Sequence, residues 1–244
     1  MGQSQTSITH PSQLYANSPP KKYKIMFYGD SLTEGAWVKP DRIYSTVFAR
    51  QALKEGLDWQ VVNCGRNGDL IRVTETRLMT DLDREQPDVV CLCLGGNDYL
   101  EGRWNDKGGA RLELERLVNI IQERNAIVIM IGQDPILDEN IPRVLGMSVE
   151  FTKRFSFFNI HKEVADKYGL YYIKSIYGGL PPKNSIQLMI KFATGVNYFP
   201  RDMFSGKYFM DAVHPSGLGH GLIGCDLFGR ISPLLKRIQV EGQR

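Results

Sequence analysis

The chain has 244 residues, of which 42% are hydrophobic and 23% charged, with a formal net charge of +3. This length suits one α/β domain with a single large core better than two, and the composition is that of an ordinary soluble globular protein. The small net charge, with no basic run interleaved with aromatics, excludes nucleic acid as the expected partner, and no stretch is long and apolar enough for an integral membrane segment.

Residues 1–22 lack periodicity and are polar, with Pro and Ser up to about Pro20. They are expected to form a flexible tail ahead of a single domain over residues 23–240. The tail has no apolar core of the kind a signal peptide carries. Cytoplasmic location is the default expectation, with a secreted mature form that has lost its leader left open. Met1-Gly2-Gln3-Ser4-Gln5-Thr6 fits the loose N-myristoylation pattern, a degenerate pattern for which chance is the better explanation.

Tyr23-Lys24-Ile25-Met26-Phe27-Tyr28 is a compact apolar run with a basic entry, which predicts a buried parallel strand ending at Gly29. Ser31 then stands at a strand's carboxyl end, the edge where open α/β sheets bind ligands. Taken alone, a serine in that turn is more simply a helix N-cap. A helix is expected over 43–54, followed by a strand at Trp59 to Asn63. That strand leads into Cys64-Gly65-Arg66-Asn67-Gly68-Asp69, where Gly68 can bring its backbone N–H near a substrate oxygen with no side chain in the way. A helix over 71–84 precedes a buried strand at Asp88 to Leu94. This strand ends in Gly95-Gly96-Asn97-Asp98, so a side-chain amide, a natural oxyanion donor, takes the same kind of position as Ser31. Asn and Gly are also ordinary turn residues, so neither segment decides alone.

Further helices are expected over 110–124, 149–168 and 216–238, and strands over 126–131 and 170–174. The βαβ alternation predicts an α/β fold with a mostly parallel, doubly wound sheet. Two connections, 135–148 and 175–210, are longer than usual and expected to be functional. The second carries Tyr177, Phe192, Tyr198, Phe199, Phe204, Tyr208 and Phe209, which either line an acyl or aryl pocket or pack a helix onto the sheet. Trp37 and Trp104, shortly after Ser31 and Asn97, raise the same question as rim contacts.

Four histidines are present. His10 lies in the tail, His161 falls mid-helix, and His220 reads as helical and structural. His214 has Asp211 three residues before it and Pro215 and Ser216 after it, which places the pair in a loop just before the last helix. A lone Asp-x-x-His is more simply a surface or capping histidine. Cys91 and Cys93 lie one residue apart in the predicted strand, so both face one side and are expected in the core. The four cysteines and four histidines show no zinc spacing, and neither metal nor cofactor is expected. Four cysteines without a dense framework do not argue for an oxidising compartment. Gly219 to Gly224 satisfies G-x-G-x-x-G but does not follow a strand, so its small residues are expected to let the last helix pack closely against the sheet. No Gly-x-Ser-x-Gly elbow is present, which argues against the α/β-hydrolase layout.

Gly29-Asp30-Ser31-Leu32, the Gly68 block, Gly95-Gly96-Asn97-Asp98 and Asp211-Ala212-Val213-His214-Pro215 follow one another in the order of four known blocks. In them the chain resembles the SGNH (GDSL-type) esterase and lipase family, and within it most nearly the single-domain esterase, lysophospholipase and thioesterase branch. The resemblance implies a three-layer α/β/α fold with five strands in flavodoxin-like order. It also implies that Ser31 is the nucleophile, His214 the general base and Asp211 its orienting carboxylate. The backbone N–H groups of Ser31 and Gly68 and the side chain of Asn97 would form the oxyanion hole. The implied reaction is hydrolysis of a small-molecule carboxylic ester or thioester through an acyl-enzyme. Carbohydrate O-acetyl ester cleavage is the alternative, and a non-catalytic binding module on the same fold is the alternative of another class. The oligomeric state is not readable from sequence.

Overall fold

Strand β1 (Lys24–Gly29) is apolar after its basic first residue, and its four central side chains are completely buried. A strand alternates its side chains between two faces, so such a run needs cover on both. Ile25 and Phe27 pack on one side with Tyr44 and Phe48 of helix α2 (Tyr44–Lys54) and with Leu227, Ile231 and Leu235 of helix α7 (Gly217–Glu241). Met26 and Tyr28 pack on the other with Leu78 and Leu82 of α3 (Glu75–Glu85) and Leu114, Val118 and Ile121 of α5 (Ala110–Gln122). The result is three layers, helices on both faces of one sheet. The computed structural model describes residues 22–101, 109–133, 159–180, 208–210 and 214–242, and elements are numbered over these. The expected tail up to residue 21, the 135–148 connection and most of 175–210 lie outside them.

The sheet contains five strands in the order β2-β1-β3-β4-β5, and every neighbouring pair is parallel. The strands are β2 (Gln60–Gly65), β3 (Val89–Cys93), β4 (Ile127–Ile131) and β5 (Tyr171–Ile173) beside β1. The flavodoxin-like order expected from the family resemblance is therefore present. Cys91 and Cys93 share one face of β3 and are fully buried, as the spacing predicts. Desolvation pushes both thiols well above the ordinary cysteine value. Edge strand β2 is the most exposed of the longer strands, which fits its polar Gln60 and Asn63.

One boundary and one packing partner differ from the sequence reading. The helix expected over 71–84 is split: Ile71–Val73 makes a 3₁₀ turn and α3 begins only at Glu75. Tertiary bonds impose the break. The Ile71 N–H donates to the Asp98 carboxylate (3.0 Å), and the Thr74 hydroxyl donates to Asp69 (3.1 Å). The Gly219 to Gly224 run lies inside α7, where Gly224 meets helix α2, not the sheet. A Cβ there would stand 2.6 Å from the Tyr44 carbonyl oxygen and 2.7 Å from Val47. Of the helix expected over 149–168, the described part is α6 (Asn159–Tyr168). Among the described residues no helix is long and apolar enough to cross a membrane.

Candidate active site

The sheet changes direction between β1 and β3: the chain leaves β1 for its neighbour β2, then crosses to β3 on the other side of β1. Such a switch point opens a crevice beyond the carboxyl ends of the strands. Gly29 pairs in register with Gly65 on one side and Cys93 on the other. The loops carrying Ser31, Gly68 and Asn97 therefore leave the sheet from one row.

Ser31 opens the short helix α1 (Ser31–Glu34), but it is not the cap. Asp30 takes that position, its Oδ1 accepting the Leu32 N–H at 3.0 Å. The Ser31 hydroxyl is thereby released from the capping role, and its Oγ lies 3.0 Å from His214 Nε2. Ser31 is 7% exposed and His214 half-buried, so the hydroxyl is sheltered while the imidazole keeps partial access to solvent. His214 stands between the isolated bridge of Phe209 with Pro215 and the start of α7, and its carbonyl accepts the Met210 N–H at 2.9 Å. Ser216 caps α7 by accepting the Gly219 N–H at 3.2 Å. Asp211 lies outside the described residues.

Gly68 has φ +78°, a left-handed conformation that costs glycine nothing and other residues strain. Asn97 sits in the first turn of α4 (Gly96–Leu100), and its Nδ2 donates to the Asp69 carbonyl at 2.9 Å, tying the β3 loop to the Gly68 loop. The β1 and β2 loops are tied as well, by Arg66 N–H to the Gly29 carbonyl (3.0 Å) and Asn67 N–H to Glu34 Oε2 (2.9 Å).

Among the proposed pocket residues, Trp37 is 70% exposed, with φ +62° and its ring edge-on to the His214 imidazole, centroids 4.8 Å apart at 89°. It stands exposed beside His214. Tyr177 and Phe209 are each 4% exposed, their rings lie 6.0 Å apart, and both belong to the core on the α7 side. Of the two roles open to that aromatic segment, these two serve packing. Trp104 and Phe199 lie outside the described residues. His220 is buried in α7, stacked on Tyr44, its Nδ1 accepting the Tyr44 N–H at 3.2 Å. Burial, with the neighbouring His214 adding to it, pushes its pKa down to about 4, so it stays neutral as a structural acceptor. His161 Nε2 donates at 2.6 Å to the carbonyl of Leu94, the residue after β3.

Sequence reasoning missed Gln133, just beyond β4. Its Nε2 donates to Asp30 Oδ2 at 2.8 Å and lies 3.4 Å from the Cys93 carbonyl, bridging the β1 and β3 ends. A polar residue one glycine past the apolar run Ile127 to Ile131 is the signal that would have found it, much as Ser31 and Asn97 stand shortly past theirs. Burial raises the Asp30 pKa from 3.8 to about 6, against the opposing pull of the Gln133 and Leu32 hydrogen bonds and of the nearby His214. The folded state thus holds this proton more tightly than the unfolded chain does. Stability is lost as pH rises from about 4 to 6 and then levels off, by up to about 3 kcal/mol. Asp30→Asn removes this dependence. Urea unfolding at pH 4 and pH 7 should show the variant gaining on the wild type at the higher pH; an unchanged difference between the two proteins would refute the assignment of that proton to Asp30.

A parallel three-layer sandwich with a serine–histidine pair at the carboxyl edge of its sheet places the chain in the class of α/β serine hydrolases. The chain belongs to the GDSL-like lipase/acylhydrolase family, whose model matches residues 27–222. Among individual proteins it is similar to an arylesterase of Vibrio mimicus, 27% identical over 145 residues, a match spanning 59% of this chain and 66%, just under two thirds, of that protein. The fold is shared with the crystal structure of TesA, at a TM-score of 0.63 and 19% identity, covering 86% of this chain and 99% of that one. It is also shared with a Clostridium thermocellum family 3 carbohydrate esterase, at 0.61 and 20%, covering 90% and 100%.

Proposed function

We propose that this protein is an esterase that cleaves small carboxylic or thio esters through an acyl-enzyme on Ser31. The observation that carries the reading is the 3.0 Å contact between Ser31 Oγ and His214 Nε2 at the switch point of the sheet. A serine hydroxyl is a poor nucleophile until a base takes its proton. In the proposed reaction Ser31 Oγ attacks the acyl carbon while His214 Nε2 takes the hydroxyl proton, and the carbonyl π-bond pair moves onto oxygen. The Gly68 and Ser31 backbone N–H groups and the Asn97 amide receive that charge. Collapse re-forms the carbonyl and breaks the bond to the leaving alcohol or thiol, which takes the proton from His214. Water then attacks the acyl-enzyme by the same route and frees the acid. Asp211 is proposed to hold the His214 tautomer.

Aryl and short-chain esters, lysophospholipids and acyl thioesters are the preferred substrates in this reading, supported by the sequence similarity to the Vibrio arylesterase. Acetylated carbohydrates are the second reading, supported by the shared fold of the Clostridium carbohydrate esterase. A panel of nitrophenyl esters of increasing acyl length beside acetylated xylose and glucose separates them. Turnover is expected on the nitrophenyl series, and a preference for acetyl sugars over every nitrophenyl ester would reverse the order. A fluorophosphonate probe is expected to label Ser31, whereas well-folded protein that takes no label would favour a binding module.

A further inference from the structure

The strongest feature outside the proposed triad is a buried ionic hub beneath the Gly68 loop. Asp69, the residue after Gly68, is itself buried. Its Oδ2 accepts from Arg77 Nη2 and from the Thr74 hydroxyl at 3.1 Å. Thr74 has one proton, and with it committed to Asp69 the Tyr28 hydroxyl must donate to Thr74, at 2.6 Å. Arg77 reaches further still: Nη1 donates to the Cys64 carbonyl at the end of β2 (2.9 Å) and to Asp81 (3.0 Å). Its guanidinium also lies over the Tyr28 ring, 4.1 Å from the centroid. Tyr28 stands directly before Gly29-Asp30-Ser31. One arginine thus touches the ends of β1 and β2, helix α3 and the Gly68 loop together.

The Asp69 peptide is also where the Asn97 amide is anchored, Nδ2 to the Asp69 carbonyl at 2.9 Å. In return, Asp98, next to Asn97, accepts the Ile71 N–H from the same loop at 3.0 Å. The two loops are stapled crosswise. A carboxamide has nearly the same shape after a 180° flip, and only its hydrogen-bond partners decide whether N–H or oxygen faces a given side. A carbonyl can only accept. The Asp69 carbonyl therefore holds the amide with Nδ2 inward, leaving its second N–H for a ligand and keeping the repulsive Oδ1 lone pairs from replacing it.

We propose that Asp69, clamped by Arg77, is a positioning residue that fixes the Gly68 and Asn97 oxyanion donors in a single geometry. The proposal rests on the esterase reading, and it separates Asp69 from an ion pair that only stabilises the fold. Donors preset for the transition state act on kcat and leave ground-state binding alone. Asp69→Asn keeps the size and an acceptor for Thr74 but removes the charge that holds Arg77. Its kcat on a nitrophenyl ester should fall about 10- to 100-fold, as a small misplacement of a positioned group does, with KM within about twofold of the wild type. Asp81→Asn is the matched control, since it weakens the same arginine on the side away from Gly68. It should lower the melting temperature while kcat stays within about twofold. Arg77→Lys keeps the charge but loses the fork, and should show a smaller kcat loss of the same kind even if Asp69→Asn does not fold. In an Asn97→Ala background the Asp69→Asn loss should shrink, because the share of it that runs through the Asn97 donor is already gone.

A folded Asp69→Asn or Arg77→Lys protein with wild-type kcat would overturn the proposal, as would parallel kcat losses in Asp69→Asn and Asp81→Asn, or full additivity with Asn97→Ala. The failures are distinguishable. A wild type inert towards all esters and towards fluorophosphonate defeats the esterase reading and this inference with it, whereas an active wild type beside an equally active Asp69→Asn defeats this inference alone.

Discussion

Ser31→Ala is expected to eliminate ester turnover while leaving the fold in place. Removing the nucleophile of a serine–histidine pair costs on the order of 10⁶ in kcat, because the remaining groups have no atom to carry the acyl group. Retention of structure follows from the division of labour in the turn. Asp30, not Ser31, caps α1, and Asp30 is held in turn by Gln133. The change removes one hydrogen bond, Oγ to His214, and that bond joins two loop-end side chains and ties no secondary structure together. The stability cost should stay within about 1 kcal/mol. Steady-state kinetics on a nitrophenyl ester, with thermal unfolding of the same preparations, checks both halves. An alanine variant hydrolysing at the wild-type rate would remove Ser31 from the reaction. One that has lost both activity and fold would show that the turn depends on the hydroxyl.

Much of this site is legible in the sequence because its residues lie within a few positions past strands that read plainly. The runs Ile25 to Tyr28 and Val89 to Leu94 are buried on both faces, so they are apolar throughout, and a Ser or Asn just past such a run marks the ligand edge of a parallel sheet. Gln133 follows the same rule after Ile127 to Ile131. What sequence cannot supply is the partner of a side chain across the fold. Asp69 and Arg77 lie eight residues apart and look like any surface acid and base; their pairing depends on Tyr28 and Cys64 bringing β1 and β2 alongside. The same blindness misplaces the start of α3, where helix propensity continues back to Ile71 but Asp98 and Asp69 take the local polar groups. For Tyr177 and Phe209, aromatic composition is identical whether a ring packs or lines a pocket, and only burial separates the two.

Asn97→Ala is the second large effect expected, and it falls on a different step. Charge appears on the carbonyl oxygen only as Ser31 attacks, so a donor aimed at that charge contributes little to substrate binding. Deleting one such donor lowers kcat by about 10² to 10³, or about 2.7–4 kcal/mol of barrier, with KM little changed. Asn97→Asp sharpens the test. The carboxylate has the same shape but no N–H, and it would set a negative charge beside the developing anion and face the Asp69 carbonyl that now accepts from Nδ2. It should fall below Asn97→Ala at neutral pH, and the gap between the two variants at equal pH should narrow on acidification, as the carboxyl gains a proton to donate. Fluorophosphonate labelling should slow in both variants, since the phosphonyl oxygen meets the same donors. If both variants keep the wild-type kcat and labelling rate, the anion is stabilised elsewhere, and the crosswise bonds between the Gly68 and Asn97 loops serve the fold alone.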